Sequence, residues 1–376
     1  MKLDEYVDAL DPGEDAARLL SEPGAWENPA QRDLAPSKMS IIYRAVEGDR
    51  LYAHHPYLVR YKGEYWAMWS AGFKDEDRSG QIIRYSRSAD GHDWAPAETL
   101  TEPTLARTGV ATCIARGIFV NLGRLTALVY ERDPKEADAV VSRSRLKRYF
   151  WNGIRWHFDR VILEDALNNY PPRPVGDRLF MTLRRNGRKM HTALSEDLFG
   201  DAWDVSILPG VPPEHPMSEP SWYVDPDGVV HLIFRDAGWG GLLFRSLSHD
   251  DGKTWTPPVK TDYPDATSKN FSQRLSNGLY YLINNPSQCP RPRVTAESRD
   301  PLGIAFSPTG WSFSHPRLLR AGAPARRFEG HSKDIGFSYP HALEHGDSLW
   351  VIYSTNKEDI EISQFELKDL CRGVML

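Results

Sequence analysis

The sequence predicts an all-β fold, a six-bladed β-propeller that follows a short helical and irregular lead-in. Three observations indicate it: a recurring strand–turn–strand unit, a family of similar turns after the third strands, and an early strand able to close the ring. The 376 residues include Trp 12, Tyr 16, Phe 14, Gly 28 and Pro 28. A chain this rich in aromatic and turn residues favours many short strands joined by tight turns.

The recurring unit is an apolar strand that runs into a turn at glycine and is followed at once by an aromatic or aliphatic strand. Its turns lie about 50 to 70 residues apart, which fits propeller blades of ~40–50 residues with loop insertions. The turns fall at Gly63, Gly123, Gly176, Asp227-Gly228, Gly278 and Gly346. Six units of about four strands each make six blades. The alternative with the same strand content is a β-sandwich.

A second repeated feature is the turn Ser248-His-Asp-Asp-Gly-Lys-Thr-Trp255. Ser and Asp side chains can bond to nearby backbone groups and close a tight hairpin, which the Trp then covers. Related turns follow other third strands, at 84–94, 195–203 and 307–311, and residues 149–156 hold the same place without the Asp. We expect all of them to be structural. Turns between strands three and four open on the face opposite the one where the innermost strands begin, and a propeller's binding site is expected on the latter face.

The domain organisation follows from the first strand. We predict a lead-in over residues 1–37, with a short helix over 13–20, and one propeller over 38–376. Ring closure is expected where Lys38–Tyr43 pairs with the last blade near Ile360–Phe365.

Composition excludes several classes of function. A net charge of -5 argues against nucleic acid as the main partner, and no apolar run approaches the ~18 residues of a membrane span. Three cysteines, Cys113, Cys289 and Cys371, form no disulfide or metal pattern. The acidic N-terminus carries no secretory signal, so a cytoplasmic protein is expected; the sequence leaves the oligomeric state open.

The propeller topology selects the residues that can meet. First-strand starts and the loops between strands two and three open on one mouth, and in this chain they are more polar than the strands between them. All six blades feed that mouth, which favours a binding site there, and its arginines favour an anionic ligand. The predicted substrate-binding residues are Gln81, Arg116, Tyr170, Arg185, Trp222, Arg235, Lys269, Arg299, His341 and Lys357. Trp222 is also what a propeller core needs.

After residue 37 the chain resembles the sialidase superfamily, on the Ser-x-Asp-x-Gly-x-Thr-Trp turn (the Asp-box) and on the hairpin Glu219–Arg235. The resemblance implies arginines that clamp a sugar carboxylate, a Tyr–Glu pair as nucleophile and an Asp as acid/base. Carried over by position, the activating Glu is Glu219, two clamp arginines are Arg235 and Arg299, the nucleophile is Tyr339, and the acid/base is Asp75 or Asp77.

The first blade departs from that pattern. Sialidases carry Arg-Ile-Pro where this chain has His54-His55-Pro56, so the first clamp arginine is absent. Histidine titrates near neutrality and can move protons. The stretches 261–269 and 339–345 are similar to polysaccharide-active branches, which include rhamnosidases acting on rhamnosyl-glucuronate and ulvan-type lyases that rely on a histidine.

Three functions therefore stay open, with a carbohydrate as the expected partner. The first is an exo-acting glycoside hydrolase on an acidic sugar, with His54, His55, Asp77, Glu219 and Tyr339 as catalytic candidates. The second is a lyase that eliminates across a uronate, using His55 and Tyr339. The third is a non-catalytic carbohydrate-binding propeller. No cofactor is expected; His54, His55, His331 and His341 could converge, but their spacing matches no recognised metal-ligand pattern.

Overall fold

The computed structural model describes residues 14–106, 109–134, 143–185, 189–211, 217–238, 240–287, 299–330 and 332–374. Within them, six antiparallel sheets surround a central channel. The first strand of each sheet lies innermost, and several of these strands pack against one another across blades: β2 against β8 and β25, and β21 against β17 and β25. The predicted six-bladed propeller is confirmed.

The first three blades are built in chain order from the channel outward. Blade one holds β2 (Tyr52–Tyr61), β3 (Glu64–Gly72), β4 (Ile82–Ser88) and β5 (Glu98–Thr101). A small hairpin, β6 (Leu105–Ala106) with β7 (Gly109–Val110), precedes blade two. Blade two holds β8 (Thr112–Asn121), β9 (Arg124–Arg132), β10 (Ser144–Trp151) and β11 (Trp156–Glu164). In blade three the inner strand is split into β12 (Ala166–Asn168) and β13 (Arg173–Val175), followed by β14 (Arg178–Arg185), β15 (Lys189–Ser195) and β16 (Asp204–Ile207).

The remaining blades repeat the plan. Blade four holds β17 (Met217–Val224), β18 (Val230–Asp236), β19 (Leu242–Ser248) and β20 (Val259–Pro264). Blade five holds β21 (Phe271–Arg274), β22 (Tyr280–Asn284), β23 (Leu302–Ser307) and β24 (Ser314–Arg320). Blade six holds β25 (Phe337–His345), β26 (Ser348–Thr355), β27 (Asp359–Glu366) and, outermost, β1 (Lys38–Tyr43).

Ring closure therefore joins distant parts of the chain. β1 runs antiparallel to β27, with Lys38 opposite Gln364 and Tyr43 opposite Ile360. The predicted pairing of 38–43 with 360–365 is confirmed.

Two inner hairpins show why the glycine turns recur. Lys62 and Gly63 have φ of 49° and 86°, and Leu122 and Gly123 have φ of 46° and 76°. A positive φ at both central positions is the type I′ turn, whose twist matches that of the flanking strands.

The Ser-Asp-Gly-Trp turns lie between strands three and four, on the face opposite the one where the innermost strands begin. In the turn at 248–255 the Ser248 hydroxyl donates to Asp250 and accepts from the Gly252 N–H, and the Trp255 indole donates to the Gly252 carbonyl. The turn at 88–94 repeats these bonds with Ser88, Asp90 and Trp94. The Ser and Asp side chains of these turns make their hydrogen bonds within the turn itself, so we assign the turns a structural role.

The short helix predicted over 13–20 is present only in part: a 3₁₀ turn spans Glu14–Ala17, residue 13 lies outside the described residues, and a second 3₁₀ turn follows at Pro29–Gln31. Leu19 and Leu20 give their N–H groups to the Asp262 carboxylate at 2.7 and 2.9 Å instead of to helical carbonyls. The guanidinium of Arg245, which is fully buried, donates hydrogen bonds to the backbone carbonyls of Asp15, Ala16 and Arg18. Tertiary hydrogen bonds thus replace the helical ones and pin the lead-in to blade four.

The only α-helix among the described residues is the single turn α1 (Leu367–Leu370), which follows β27. No described helix has the length and apolar character of a membrane span. Cys113 and Cys371 are free thiols, and Cys289 lies outside the described residues.

Candidate active site

Bulges near the starts of the inner strands aim side chains into the mouth. The register shifts between His54 and Tyr57, between Ser218 and Ser221, and between Ser338 and His341. In each case the bulged residue precedes a proline and has positive φ: His55 at 56°, Glu219 at 52° and Tyr339 at 55°. Such backbone is strained in a non-glycine residue and is found disproportionately at functional sites. A fourth bulge in β8 carries Arg116.

Tyr339, Glu219 and Arg235 form one hydrogen-bonded cluster. The Tyr339 hydroxyl donates to Glu219 Oε2 at 2.7 Å and accepts from Arg235 Nη1 at 2.9 Å. Arg235 Nη1 also lies 2.9 Å from the same Glu219 oxygen. The Tyr–Glu pair that the resemblance implied is therefore formed in the structure, by Tyr339 on blade six and Glu219 on blade four.

The electrostatics of this cluster define its protonation state. Burial alone raises the pKa of a carboxyl, but Arg235, followed by Arg184, Lys269 and Arg116, outweighs it and holds the pKa of Glu219 well below its ordinary range. Burial raises the pKa of Tyr339, and the negative charge of Glu219 raises it further, against the opposing effect of Arg235. At neutral pH the cluster is therefore a protonated phenol beside an ionised carboxylate.

Arg235 and Arg299 converge on one spot. Both guanidinium groups donate to the Thr267 carbonyl, at 3.5 and 3.4 Å. Arg299 is held in addition by Ser338 at 3.3 Å and by the Asp334 carboxylate at 3.3 Å. Two arginines aimed at one point can bind the oxygens of a carboxylate.

Arg116 is the least satisfied cation of the mouth. The residue is 2 % exposed, and its Nε and Nη1 atoms have no hydrogen-bond partner among the described residues. Its charge acts on Glu219 and on His55. A buried guanidinium with unpaired N–H groups is expensive to hold unless a ligand supplies the acceptors.

The loop after β3 brings carboxylates to the same mouth. The Asp77 side chain is 43 % exposed and lies 4.0 Å from Arg132, while its N–H donates to Gln81 Oε1. The protein atoms packed around the carboxyl of Asp77 remove part of its hydration and raise its pKa, and the negative charge of Glu76 raises it further. Gln81, predicted to bind substrate, has both ends occupied, because its amide also donates to the Cys113 carbonyl; it positions the loop.

His54, His55 and Glu76 form a compact group beside Tyr339. The His54 and Tyr339 ring centroids are 4.1 Å apart, and those of His55 and Tyr339 are 5.2 Å apart. Burial lowers the pKa of both histidines well below the usual value, so both are neutral at pH 7. Lys357 joins the group through Glu76 Oε2 at 2.6 Å.

Beneath the mouth, three predicted residues close the channel. Lys269 donates to the Tyr57 hydroxyl at 3.0 Å and to the Asn169 carbonyl, and its ammonium lies 3.7 Å from the centroid of the Tyr170 ring. The Tyr170 hydroxyl donates to the Asn270 carbonyl. His341 packs against Tyr57, Tyr170 and Phe271 and accepts from the Leu58 N–H. These bonds link opposite blades and block the channel, so the three side chains support the floor of the mouth.

Two predicted substrate-binding residues lie elsewhere. Trp222 is 3 % exposed and packs on Phe180 and under the Arg173 guanidinium, in the core between blades three and four. Arg185 donates to the Glu164 carbonyl at the side of its blade. Its neighbour Arg184 faces the mouth, where it acts on Glu219. His331, one of the histidines that could converge, lies outside the described residues.

Sequence reasoning passes over Arg184 and Glu76. For Arg184 the available signal is strand alternation: neighbouring residues of β14 face opposite ways. Residues on both faces of β14 are fully buried, Phe180 as much as Leu183, so burial alone does not tell which of Arg184 and Arg185 faces the mouth. For Glu76 no sequence signal separates it from the other acids of its loop.

Replacing His341 with Phe should flatten the dependence of stability on pH. Burial lowers the pKa of His341 to about 3, so below the ordinary value of ~6.5 the unfolded chain binds a proton that the folded chain does not. Stability therefore falls as pH drops from ~6.5 towards about 3, by up to ~1.4 kcal/mol per pH unit for this residue. Urea titrations across that window measure the slope. Equal slopes for the wild type and the variant would contradict the assignment.

Comparison with known proteins agrees with this fold. Residues 203–352 match the family model described as BNR repeat-like domain, and no curated protein matches the sequence. Among solved structures, a sialidase superposes with a TM-score of 0.59 at 19% identity over 92% of this chain. A Hadza microbial sialidase gives 0.66 at 16% identity over 87%, and Trypanosoma rangeli sialidase in complex with sialic acid gives 0.62 at 15% over 89%.

These three sialidases are longer than this chain. It spans 34% of the length of the first sialidase, 68% of the Hadza microbial enzyme and 60% of the Trypanosoma rangeli enzyme. At such identities the likeness concerns the fold. The chain is a six-bladed β-propeller whose residues 203–352 match a BNR repeat-like domain and whose fold is similar to that of solved sialidases.

Proposed function

We propose that the protein is an exo-acting glycoside hydrolase that cleaves glycosides of an acidic sugar. The observation that carries the proposal is the cluster in which the Tyr339 hydroxyl donates to Glu219 under Arg235. A phenol with a carboxylate acceptor for its proton is an activated nucleophile. The similarity of the fold to that of solved sialidases, one of them in complex with sialic acid, supports a glycan as substrate.

The acidic character of the sugar is inferred from the cations. Arg235 and Arg299 converge near Thr267, and Arg116 stands with unpaired N–H groups across the mouth. A carboxylate on the sugar supplies the missing acceptors and reduces the excess of positive charge. The blocked channel beneath the mouth supports exo action, because a mouth with a floor accommodates a chain end and not a threaded chain.

The residues can perform a double displacement. Tyr339 Oη attacks the anomeric carbon while its proton passes to Glu219, and the glycosidic bond breaks as Asp77 protonates the leaving oxygen. Water then attacks the same carbon with Asp77 as base, and Tyr339 leaves with the proton that Glu219 returns. Asp77 suits the acid role because its pKa is raised and its side chain is open to the mouth.

The proposal is tested with aryl glycosides of glucuronate, galacturonate, iduronate and sialate. Release of aglycone from at least one acidic sugar, with little release from the matched neutral glycosides, is the expected result. Binding of the acidic sugars without any turnover would overturn the hydrolase proposal and leave a binding protein.

Asp77→Asn should lower kcat on a poor leaving group by about 10²- to 10⁴-fold and remove the alkaline limb of the pH–rate profile. An acid must start protonated, so activity of the wild type falls as pH rises through the pKa of Asp77, which lies above that of an ordinary Asp. Steady-state kinetics across pH with Asp204→Asn, an exposed acid, as control measures both effects. An alkaline limb that persists in Asp77→Asn would assign the acid to another group.

A lyase is the second candidate, favoured by the two neutral imidazoles against Tyr339. β-Elimination needs an arginine to neutralise a uronate carboxylate, a base for the C5 proton and an acid for the leaving oxygen. His55 or His54 can serve as base and Tyr339 as acid. The products distinguish the reactions, because only elimination leaves an unsaturated uronate that absorbs in the near ultraviolet.

A further inference from the structure

We propose that His54, His55 and Glu76 form a binding site for a divalent first-row transition metal of the zinc class. Each residue offers one ligand atom, and these atoms all lie within 4.8 Å of one another. Two imidazoles and one carboxylate are a ligand set that zinc accepts with an open fourth position. The first-blade pair that replaces Arg-Ile-Pro thereby gains a role of its own.

The atoms that face away from the proposed metal are already held. His54 Nδ1 pairs with the Ser354 hydroxyl at 2.6 Å, and His55 Nδ1 pairs with the Ser70 hydroxyl at 3.2 Å. Glu76 Oε2 accepts from Lys357. Metal-binding histidines are usually oriented in this way through their other ring nitrogen, and the pattern leaves both Nε2 atoms and Glu76 Oε1 to converge.

An unpartnered atom supplies the independent observation. His54 is fully buried, and its Nε2 has no hydrogen-bond partner among the described residues. A buried polar atom without a partner is destabilising, and coordination of its lone pair by a metal removes that penalty.

The spacing is near what coordination requires. His55 Nε2 and Glu76 Oε1 are 3.5 Å apart, and the edge of a tetrahedron with metal–ligand bonds of ~2.0–2.1 Å is about 3.3–3.4 Å. With a single carboxylate, the site suits metals that accept nitrogen ligands and not Ca²⁺ or Mg²⁺. The cations Lys357, Arg116 and Lys269 nearby oppose a dication, so we expect affinity in the micromolar range.

Occupancy has a consequence for the chemistry of the mouth. A metal that takes both Nε2 lone pairs removes His54 and His55 as proton acceptors. In the metal-bound protein the leaving oxygen then depends on Asp77, and elimination with histidine as base is suppressed.

The test is titration of the tag-free, chelator-treated full chain with Co²⁺ followed by visible absorption, and with Zn²⁺ followed by calorimetry. We expect one equivalent to bind, with Co²⁺ bands typical of low coordination number. His54→Ala and Glu76→Gln should each weaken binding by more than 10-fold, and Ser354→Ala, which keeps all three ligands, by about 10-fold.

The matched control is His249→Ala, which removes an exposed histidine far from the group and should leave the titration unchanged. Circular dichroism checks that every variant is folded. Absence of saturable binding, or equal affinity in His54→Ala and His249→Ala, would overturn the proposal. Since no sugar is present, the outcome is independent of whether the protein hydrolyses acidic glycosides.

Discussion

Tyr339→Phe should lower kcat on the best acidic aryl glycoside by about 10³-fold or more, since loss of a nucleophile typically has effects of this size or larger. The variant removes one oxygen, the atom that donates to Glu219 and accepts from Arg235. The ring remains to pack against His54, so KM should change much less than kcat. Steady-state kinetics on purified protein, with thermal denaturation as a check on folding, measures the effect.

The matched control is Tyr353→Phe. Tyr353 is as buried as Tyr339, and its hydroxyl bonds Ser363 at 2.8 Å, away from the mouth. Its loss should affect stability and leave kcat within a few-fold of wild type. Similar kcat values for the two variants would remove Tyr339 from the chemistry. Retained turnover in Tyr339→Phe with an unsaturated product would instead point to elimination with another acid.

Arg245→Met should lower the free energy of unfolding by about 4 kcal/mol, because several buried carbonyls lose their donor together. The guanidinium donates to the carbonyls of Asp15, Ala16, Arg18 and Trp311. Methionine has similar length and no donor, so it preserves packing while it unpairs all of these groups. Urea denaturation followed by tryptophan fluorescence gives the loss.

The change should begin in the lead-in. Hydrogen exchange of residues 14–37 should accelerate in Arg245→Met before exchange in the blades does, because those carbonyls belong to the lead-in and to one adjoining turn. Arg274→Met, on the exposed surface over Tyr280, is the control and should lose less than ~0.5 kcal/mol. Uniform acceleration over all blades would show that the lead-in is not a separate unit of stability.

The sequence was sufficient for the architecture because propeller blades repeat. Six glycine turns predicted the number of blades, and the need to close the ring predicted the pairing of 38–43 with 360–365. Topology then placed Glu219 and Tyr339 at one mouth, and the structure joins them at 2.7 Å. These successes share a cause, since each depends on strand order and not on a particular side-chain direction.

The failures also share a cause. Arg184 and Arg185 are neighbours in sequence, and only the pairing register of β14 decides which faces the mouth. The helix of the lead-in ends at Ala17, before the predicted residue 20, because Asp262 and Arg245, over 200 residues away, bind its backbone groups. Trp222 lies near the start of an inner strand, which predicted a place at the mouth, but its side chain packs in the core between blades three and four. In each case the outcome depends on a residue or strand distant in the sequence, and the local sequence pattern does not identify that partner.

The closing blade has a consequence for biosynthesis. β1 leaves the ribosome before every other strand of the propeller, and its partner β27 follows after more than 300 residues. The sheet that β1 completes also contains β25, which carries Tyr339. Until the last strand has emerged and found the first, Tyr339 has no completed blade to support it beside Glu219. A nascent chain therefore lacks the assembled mouth, and its cations, until synthesis of the propeller is nearly finished.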